Sequence, residues 1–125
     1  MTKLQFHFEC LDGNYFFAAE ADRTTAYTIT SDIPELEEKS GELDEKATEA
    51  FLKELELSQI ERWDRHYRAE QSKIEDAVKW SVTYEKEDGV YKTDGEESYE
   101  PYNYEHLIKA LIICDEKAEY FLINK

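Results

Sequence analysis

The 125-residue chain carries 30 acidic and 15 basic side chains, a formal net charge of −15, and 41% of its residues are hydrophobic. This length and apolar content fit a single domain, residues 1–125, with one hydrophobic core. So large an excess of acids opposes direct binding to nucleic-acid phosphates and to anionic lipid. The sequence also has no apolar run near the ~20 residues of a membrane span. We therefore expect neither nucleic-acid binding nor membrane association.

The N-terminal sequence MTKLQFHFEC alternates apolar and polar residues. It lacks the basic region and following apolar block that are typical of a secretory signal, so we expect a cytoplasmic protein. The two cysteines, Cys10 and Cys114, fit neither a disulfide framework nor a metal motif. Both are predicted to be reduced residues of the core.

The first thirty residues have the two-residue period of strands with one buried face. Apolar side chains alternate from Leu4 to Cys10, Asp12-Gly13 can turn the chain, and a return strand fits Tyr15 to Ala21. A third strand over Thr25 to Thr30 completes a predicted N-terminal antiparallel meander.

The central part of the chain changes to the period of a helix. A first helix is predicted whose polar face carries acids and whose apolar face consists of Leu43, Ala47, Ala50, Phe51 and Leu55. Ser58 and Glu61 have the spacing of a capping box, which predicts that a second helix starts there. That second helix would present Ile60, Trp63 and Tyr67 to the core.

Alternation returns from Val78 to Tyr84, with Trp80 on the apolar face. Asp88-Gly89 predicts a hairpin whose return strand ends at Asp94-Gly95. Asn103 is a good N-cap for a third helix. The tail from Ala118 to Ile123 could extend that helix or form a last strand, and a turn at Asp115 to Lys117 favours the strand. The predicted fold class is α+β: one domain with an N-terminal antiparallel meander, two central helices, a Trp-containing β-hairpin and a C-terminal helix.

Residues 74–111 contain an acidic residue at Asp76 before the Trp80 strand, a turn at Gly89, and the helix start Pro101-x-Asn103-aromatic. This stretch resembles a pattern found in small uncharacterised bacterial proteins, although Glu96 stands where Asn is commoner. The resemblance implies a strand, a hairpin and a helix that begins after proline. It implies no activity.

No catalytic motif stands out from the rest of the sequence. The histidines His7, His66 and His106 form no zinc-binding pattern, and the chain has no nucleophile elbow and no glycine-rich phosphate loop. Carboxylate pairs are too abundant to indicate a hydrolase. We therefore predict no catalytic residue, no cofactor and no metal site, and expect a protein that is not an enzyme.

The negative charge is concentrated in two segments. Residues 35–49 hold seven acids and two bases, and residues 85–105 hold eight acids and two bases, so these segments supply eleven of the fifteen net negative charges. Such acids either keep a small protein soluble or form a surface that binds a basic partner. The stretch between them, residues 50–84, is nearly neutral.

The sequence thus predicts a small acidic protein-binding module, of bacterial or phage type, whose partner is another protein with a basic surface. One alternative is an acidic nucleic-acid mimic that inhibits a DNA- or RNA-binding protein, as anti-CRISPR and anti-restriction inhibitors do. A second alternative is a small enzyme without a recognisable motif. The candidate contact residues are Glu42, Glu45, Glu49, Glu85, Glu87, Asp88, Asp94, Glu96, Glu97, Tyr91, Tyr99 and Tyr102.

Overall fold

A computed structural model of the protein describes residues 1–67, 78–96 and 101–123. Within these ranges, seven strands form one sheet in the order β4-β3-β2-β1-β6-β7-β5, in which neighbours are antiparallel except for the parallel pair β5 and β7. The strands are β1 (Thr2–Cys10), β2 (Gly13–Ala21), β3 (Thr25–Ser31), β4 (Lys39–Leu43), β5 (His66–Tyr67), β6 (Lys79–Lys86) and β7 (Gly89–Glu96).

Among the described residues, three α-helices accompany the sheet: α1 (Glu45–Ser58), α2 (Tyr104–Cys114) and α3 (Tyr120–Ile123). Short 3₁₀ turns lie at Ile60–Arg62 and Glu116–Glu119. Contacts of His106 with Glu54 and of Asn103 with Gln59 show that α1 and α2 are antiparallel neighbours. The α+β class, the meander, the hairpin and the helix after Asn103 are all confirmed.

The core lies between the helices and one face of the sheet, which we call the inner face. Alternate residues of each long strand are buried there, as the two-residue period predicts. Phe121 of α3 contacts the rings of Phe6, Phe8 and Tyr15, with centroids 4.8 to 5.4 Å apart. The buried inner-face residues include Leu4, Phe6, Tyr15, Phe17, Tyr27, Ile29, Trp80, Val82 and Tyr84.

The predicted second helix, which was to start at Ser58, is wrong over residues 58–67. Gln59 takes a left-handed conformation with φ of 54°, which ends α1, and only a 3₁₀ turn and the short strand β5 follow. The core contacts themselves are as predicted, because Ile60 is buried and Trp63 and Tyr67 pack half-buried against the core. Residues 68–77 of the predicted helix lie outside the described residues.

The return strand of the hairpin is longer than predicted, since β7 continues through Asp94-Gly95 to Glu96. Gly95 is a site of close approach and not a turn, because a Cβ there would overlap the indole ring of Trp80. For the tail, the favoured last strand is wrong: Glu116–Glu119 forms a 3₁₀ turn and Tyr120–Ile123 a short helix, both separate from α2, and Ala118 and Phe121 bury apolar side chains.

Two further differences concern the first helix and the strand that precedes it. Strand β4 was not predicted, because its sequence KSGEL lacks apolar alternation. Glu42 therefore belongs to a strand, and α1 begins after Asp44, whose side chain accepts a hydrogen bond of 2.8 Å from the Ala47 amide. Ala50 is exposed and not part of the core face.

Both cysteines are free, with Cys114 buried and Cys10 half-buried. Burial raises the pKa of the Cys114 thiol to about 12, whereas the nearby Lys39 acts to lower it. Cys114 is therefore a reduced core residue, as expected, whereas Cys10 is reduced but only partly buried.

Candidate interaction surface

Several separate segments meet at the end of the sheet where β1 begins. Thr2 of β1 pairs with Ala21 at the end of β2, and Thr25 at the start of β3 pairs with Leu43 at the end of β4. Lys3 pairs with Glu85, just before the β6–β7 turn. The N-terminus, the β2–β3 turn, the start of α1 and the hairpin turn therefore lie side by side.

A row of charged residues crosses this end of the sheet on the outer face, opposite the core. The pairing register places Glu42, Ala26, Glu20, Lys3 and Glu85 in line, one on each of five consecutive strands. With strands ~4.8 Å apart, the three carboxylates recur every ~10 Å along the row. The row spans four strand intervals, about 19 Å.

Helix α1 runs along the same end of the sheet. Its first residue, Glu45, lies 3.4 Å from Arg23 in the β2–β3 turn. Three residues after the helix ends at Ser58, Glu61 in the 3₁₀ turn accepts a hydrogen bond of 3.1 Å from Lys86 beside the hairpin turn. A helix of 14 residues is about 21 Å long, which matches the span of the strand row. The helix and the strand row thus form two lines of acids at one end of the molecule.

We call this surface the acidic edge. Its carboxylates are Glu20, Glu42, Glu45, Glu49, Glu56, Glu61, Glu85, Glu87 and Asp88. The basic side chains at the same end are Lys3, Arg23, Lys46, Lys53 and Lys86. Acids outnumber bases here, so the edge has a negative potential.

Part of this charge is compensated locally. Lys3 lies 3.7 Å from Glu20 and 3.9 Å from Glu85, and the N-terminal amine lies 3.8 Å from Glu87. These pairs are exposed, so each contributes little to stability. Within the described ranges, no ion pair is formed by Glu42, Glu49 or Glu56.

Two tyrosines, Tyr84 and Tyr91, lie where the hairpin approaches the C-terminal end of α1, and desolvation and nearby carboxylates raise the pKa of both. Burial raises the pKa of Tyr84, and although Lys86 acts to lower it, the charges of Glu61, Glu56 and Asp88 raise it further. The pKa of Tyr91 is raised by desolvation and by Asp88, which also accepts its hydroxyl hydrogen bond. Carboxylates from α1, from the 3₁₀ turn and from the hairpin thus act on the same tyrosine.

The structure brings six of the twelve predicted contact residues together in the acidic edge: Glu42, Glu45, Glu49, Glu85, Glu87 and Asp88. Tyr91 lies beside them, half-buried. Asp94 and Glu96 lie toward the opposite end of β7, where Asp94 contacts His66 at 2.9 Å. Tyr102 is 98% exposed, just before α2. Glu97 and Tyr99 lie outside the described residues.

Sequence reasoning missed Glu20, Glu56 and Glu61. Glu20 carries a signal that could have been used, because it lies on the polar phase of a predicted strand. Its position in the row depends on the pairing of β1 with both β2 and β6, which no local pattern specifies.

The three histidines lie apart from one another. His7 stacks on Phe16 with ring centroids 4.1 Å apart and contacts Asn14 at 2.8 Å, and His106 contacts Glu54 at 2.8 Å. Across residues 1–67, 78–96 and 101–123, no three His, Cys, Asp or Glu side chains are grouped as metal ligands would be. The described helices include none with the length and apolar character of a membrane span.

No protein-family model matches the chain, and a search of curated proteins finds no significant sequence match.

Proposed function

We propose that the protein is a small acidic protein-binding module and that its acidic edge contacts a basic surface on another protein. The observation that carries the proposal is the convergence of carboxylates from the β2 strand end, the β4–α1 segment and the β6–β7 hairpin along ~20 Å of one end of the molecule. These acids are distant in sequence, so the fold is what concentrates them.

The physical basis is electrostatic complementarity. A dense row of like charges attracts an oppositely charged surface over the Debye length, about 8 Å at physiological salt, and accelerates the encounter. Exposed carboxylates such as Glu42 and Glu49 have no ion pair within the described residues, so none has to be broken when they bind a Lys or Arg of the partner. Affinity of this kind weakens as the salt concentration rises.

Two triple variants test the proposal. In the first, Glu42→Lys, Glu49→Lys and Glu87→Lys reverse the acidic edge. In the second, Asp12→Lys, Glu35→Lys and Glu119→Lys reverse three exposed acids near Tyr120 at the other end. Each triple reverses three charges, so both change the formal net charge from −15 to −9.

The partner is first captured from host-cell extract with the wild-type protein and then purified for titration. We expect the edge triple to weaken binding by ~100-fold or more and the control triple by less than ~3-fold, where each tenfold is 1.4 kcal/mol. Equal effects of the two triples would show that net charge alone matters and would contradict the proposal.

A nucleic-acid mimic is the second candidate function. It is favoured by the two parallel lines of acids, because duplex DNA also presents two lines of charge. The spacing is coarser, against one charge per ~1.7 Å of duplex axis: ~10 Å in the strand row, and along the helix ~6 Å from Glu45 to Glu49 and ~10 Å from Glu49 to Glu56. If the mimic is correct, duplex DNA will compete with the protein for the purified partner. Simultaneous binding of both would exclude it.

Three expectations from the sequence remain predictions: that the module acts without catalysis, that it resides in the cytoplasm, and that residues 74–111 share the pattern of small bacterial proteins. The captured partner would test the first directly, since a substrate would be chemically altered on incubation and a binding partner would not.

A further inference from the structure

The outer face of the sheet holds a second feature, a trough that the acidic edge borders. Helices α1 to α3 pack on the inner face, and in the part of the chain that the structure describes no helix covers the outer face. The centre of that face carries uncharged side chains in one register row, Thr28, Ala18, Gln5 and Thr83. Two adjoining depressions of about 280 and 330 Å³ lie over this row and share Gln5 and Ala18.

Two rows that carry charged or aromatic side chains flank this uncharged row. On one side is the charged row of the acidic edge, with Glu20, Lys3 and Glu85. On the other side Phe16 is 48% exposed and its ring stacks on His7 with an angle of 4° between the planes. The trough therefore has one acidic wall and one aromatic wall.

The dimensions of the trough follow from strand geometry. Glu20 and Phe16 are four residues apart on β2, so the two walls are ~13 Å apart. From β3 to β6 the floor crosses three strand intervals, ~14 Å, and Ser40 on β4 extends it to ~19 Å. An α-helix with its side chains is 10–12 Å in diameter, close to the ~13 Å between the two row axes, so a helix that lies along the floor would contact both walls. About ten to thirteen helical residues would span the floor.

The alanines on the outer face support a role for this space. Ala18 and Ala26 are exposed and line the depressions, although alanine is a poor strand former. A Thr or Val at either position would suit an exposed strand better and would narrow the concave space. Exposed positions do tolerate alanine, but two of them beside an exposed phenylalanine leave a concave, partly apolar surface.

We propose that this trough receives an amphipathic α-helix of the partner protein, with Lys or Arg along the flank that meets Glu20, Glu42 and Glu85, and with apolar residues facing Phe16 and Ala18. The occupant is identified by charge complementarity with the acidic wall and by the width between the walls. This inference rests on the proposed function, because it specifies the kind of element that the basic partner presents.

The test uses two fluorescein-labelled synthetic peptides of 18 residues with the same Leu and Lys content. One peptide is ordered as an amphipathic helix, and the other is scrambled so that no apolar face forms. Anisotropy titrations should show the helical peptide binding about tenfold tighter than the scrambled one, a difference of ~1.4 kcal/mol. Amide shifts in NMR spectra should change at Gln5, Ala18 and Thr83. Equal binding of the two peptides would overturn the proposal.

A matched pair of substitutions locates the binding site. Ala18→Gln adds a longer side chain at the centre of the trough, next to Gln5, and Ala50→Gln introduces the same side chain at an exposed position on α1. Both variants should retain the thermal unfolding midpoint of the wild type within a few degrees. Ala18→Gln should weaken the helical peptide about tenfold, and Ala50→Gln less than about twofold. If the two affinities are equal, the trough is not the site.

The outcomes separate this inference from the proposed function. If the edge triple weakens the purified partner and Ala18→Gln does not, the acidic edge binds the partner and the trough proposal fails. If neither variant weakens it, both proposals fail. Light scattering measures the oligomeric state of the wild type and of Ala18→Gln. If the wild type is a dimer and Ala18→Gln is a monomer, the trough binds a second copy of the chain, which would overturn the inference.

Discussion

The hydroxyl of Tyr15 in β2 donates a hydrogen bond of 3.3 Å to Oδ2 of Asp115, one hundred residues later in the chain. Both side chains are buried. The other carboxylate oxygen of Asp115 accepts from the Lys117 amide, which starts the 3₁₀ turn before α3. One polar contact thus links the centre of the sheet to the C-terminal helices.

Removing that hydroxyl should destabilise the fold. We expect Tyr15→Phe to lower the free energy of unfolding by about 1–2 kcal/mol, because Asp115 would remain buried with one donor fewer. Urea unfolding followed by circular dichroism measures the change. Tyr27→Phe, at a second buried tyrosine of the same sheet, provides a comparison. If Tyr15→Phe lowers the free energy of unfolding by less than ~0.5 kcal/mol, the hydrogen bond to Asp115 does not stabilise the fold.

Alkaline pH should unfold the protein in part through Cys114. The thiol pKa is about 12 in the fold against an ordinary 9.0, so the folded state keeps a proton that the unfolded chain releases. The stabilisation is therefore complete below pH 9 and is lost as pH rises toward 12, by up to ~4 kcal/mol. Tyr15, whose pKa burial also raises, adds to the loss above pH 10. Urea unfolding at pH 8 and at pH 10 measures how much the free energy of unfolding falls between them. The fall should be smaller for Cys114→Ala than for the wild type, and an equal fall would contradict this assignment.

Gly95→Ala should be strongly destabilising because the new methyl group would overlap the indole of Trp80, 2.6 Å from Nε1. We expect a cost of about 1–3 kcal/mol, typical of overpacking. In a Trp80→Leu background the same substitution should cost less, because the smaller side chain leaves room. A double-mutant cycle of unfolding free energies measures this coupling. Additive costs would mean that the two residues do not meet.

Thr25 of β3 and Thr48 of α1 share a hydrogen bond of 2.7 Å, and both are 1% exposed. Thr48→Val should cost about 1–2 kcal/mol, since it leaves the Thr25 hydroxyl buried without that partner. Thr25→Val should cost less, because the Thr48 hydroxyl can still donate to the Leu43 carbonyl at 3.5 Å. Thermal unfolding of the two single variants and the double variant measures the order. A double variant as costly as the sum of both singles would contradict the shared bond.

Lys3 is the one base in the charged row, between Glu20 and Glu85. We expect Lys3→Gln to leave stability unchanged within ~1 kcal/mol, because the pairs are exposed. The same change should strengthen binding to the basic partner by about 2–5-fold and steepen its salt dependence. Lys79→Gln, on the outer face at the other end of β1, is the matched control. Weaker binding by Lys3→Gln would contradict an acidic contact surface.

Local sequence patterns were sufficient for elements whose backbone conformation is specified by their own residues. Alternation from Leu4 to Cys10 and around Trp80 marked the long strands, Gly89 marked a turn with positive φ, and the apolar period after Asn103 marked α2. The turn-like pair Asp94-Gly95 lies inside β7 instead, because the ring of Trp80 packs against Gly95 and leaves no room for a Cβ. Only a contact between two strands could reveal that reason.

The candidate surface shows the same division. The sequence by itself determined that the protein is strongly acidic, that its acids cluster in two segments and that one sheet face is polar, because charge and two-residue periodicity are properties of the chain alone. Only the tertiary structure decided that Glu42, Glu20 and Glu85 stand in one row beside α1, and that Ala18 forms the floor of a trough. The physical reason is strand register: hydrogen bonds between strands distant in the chain choose which side chains become neighbours, and no local preference carries that choice.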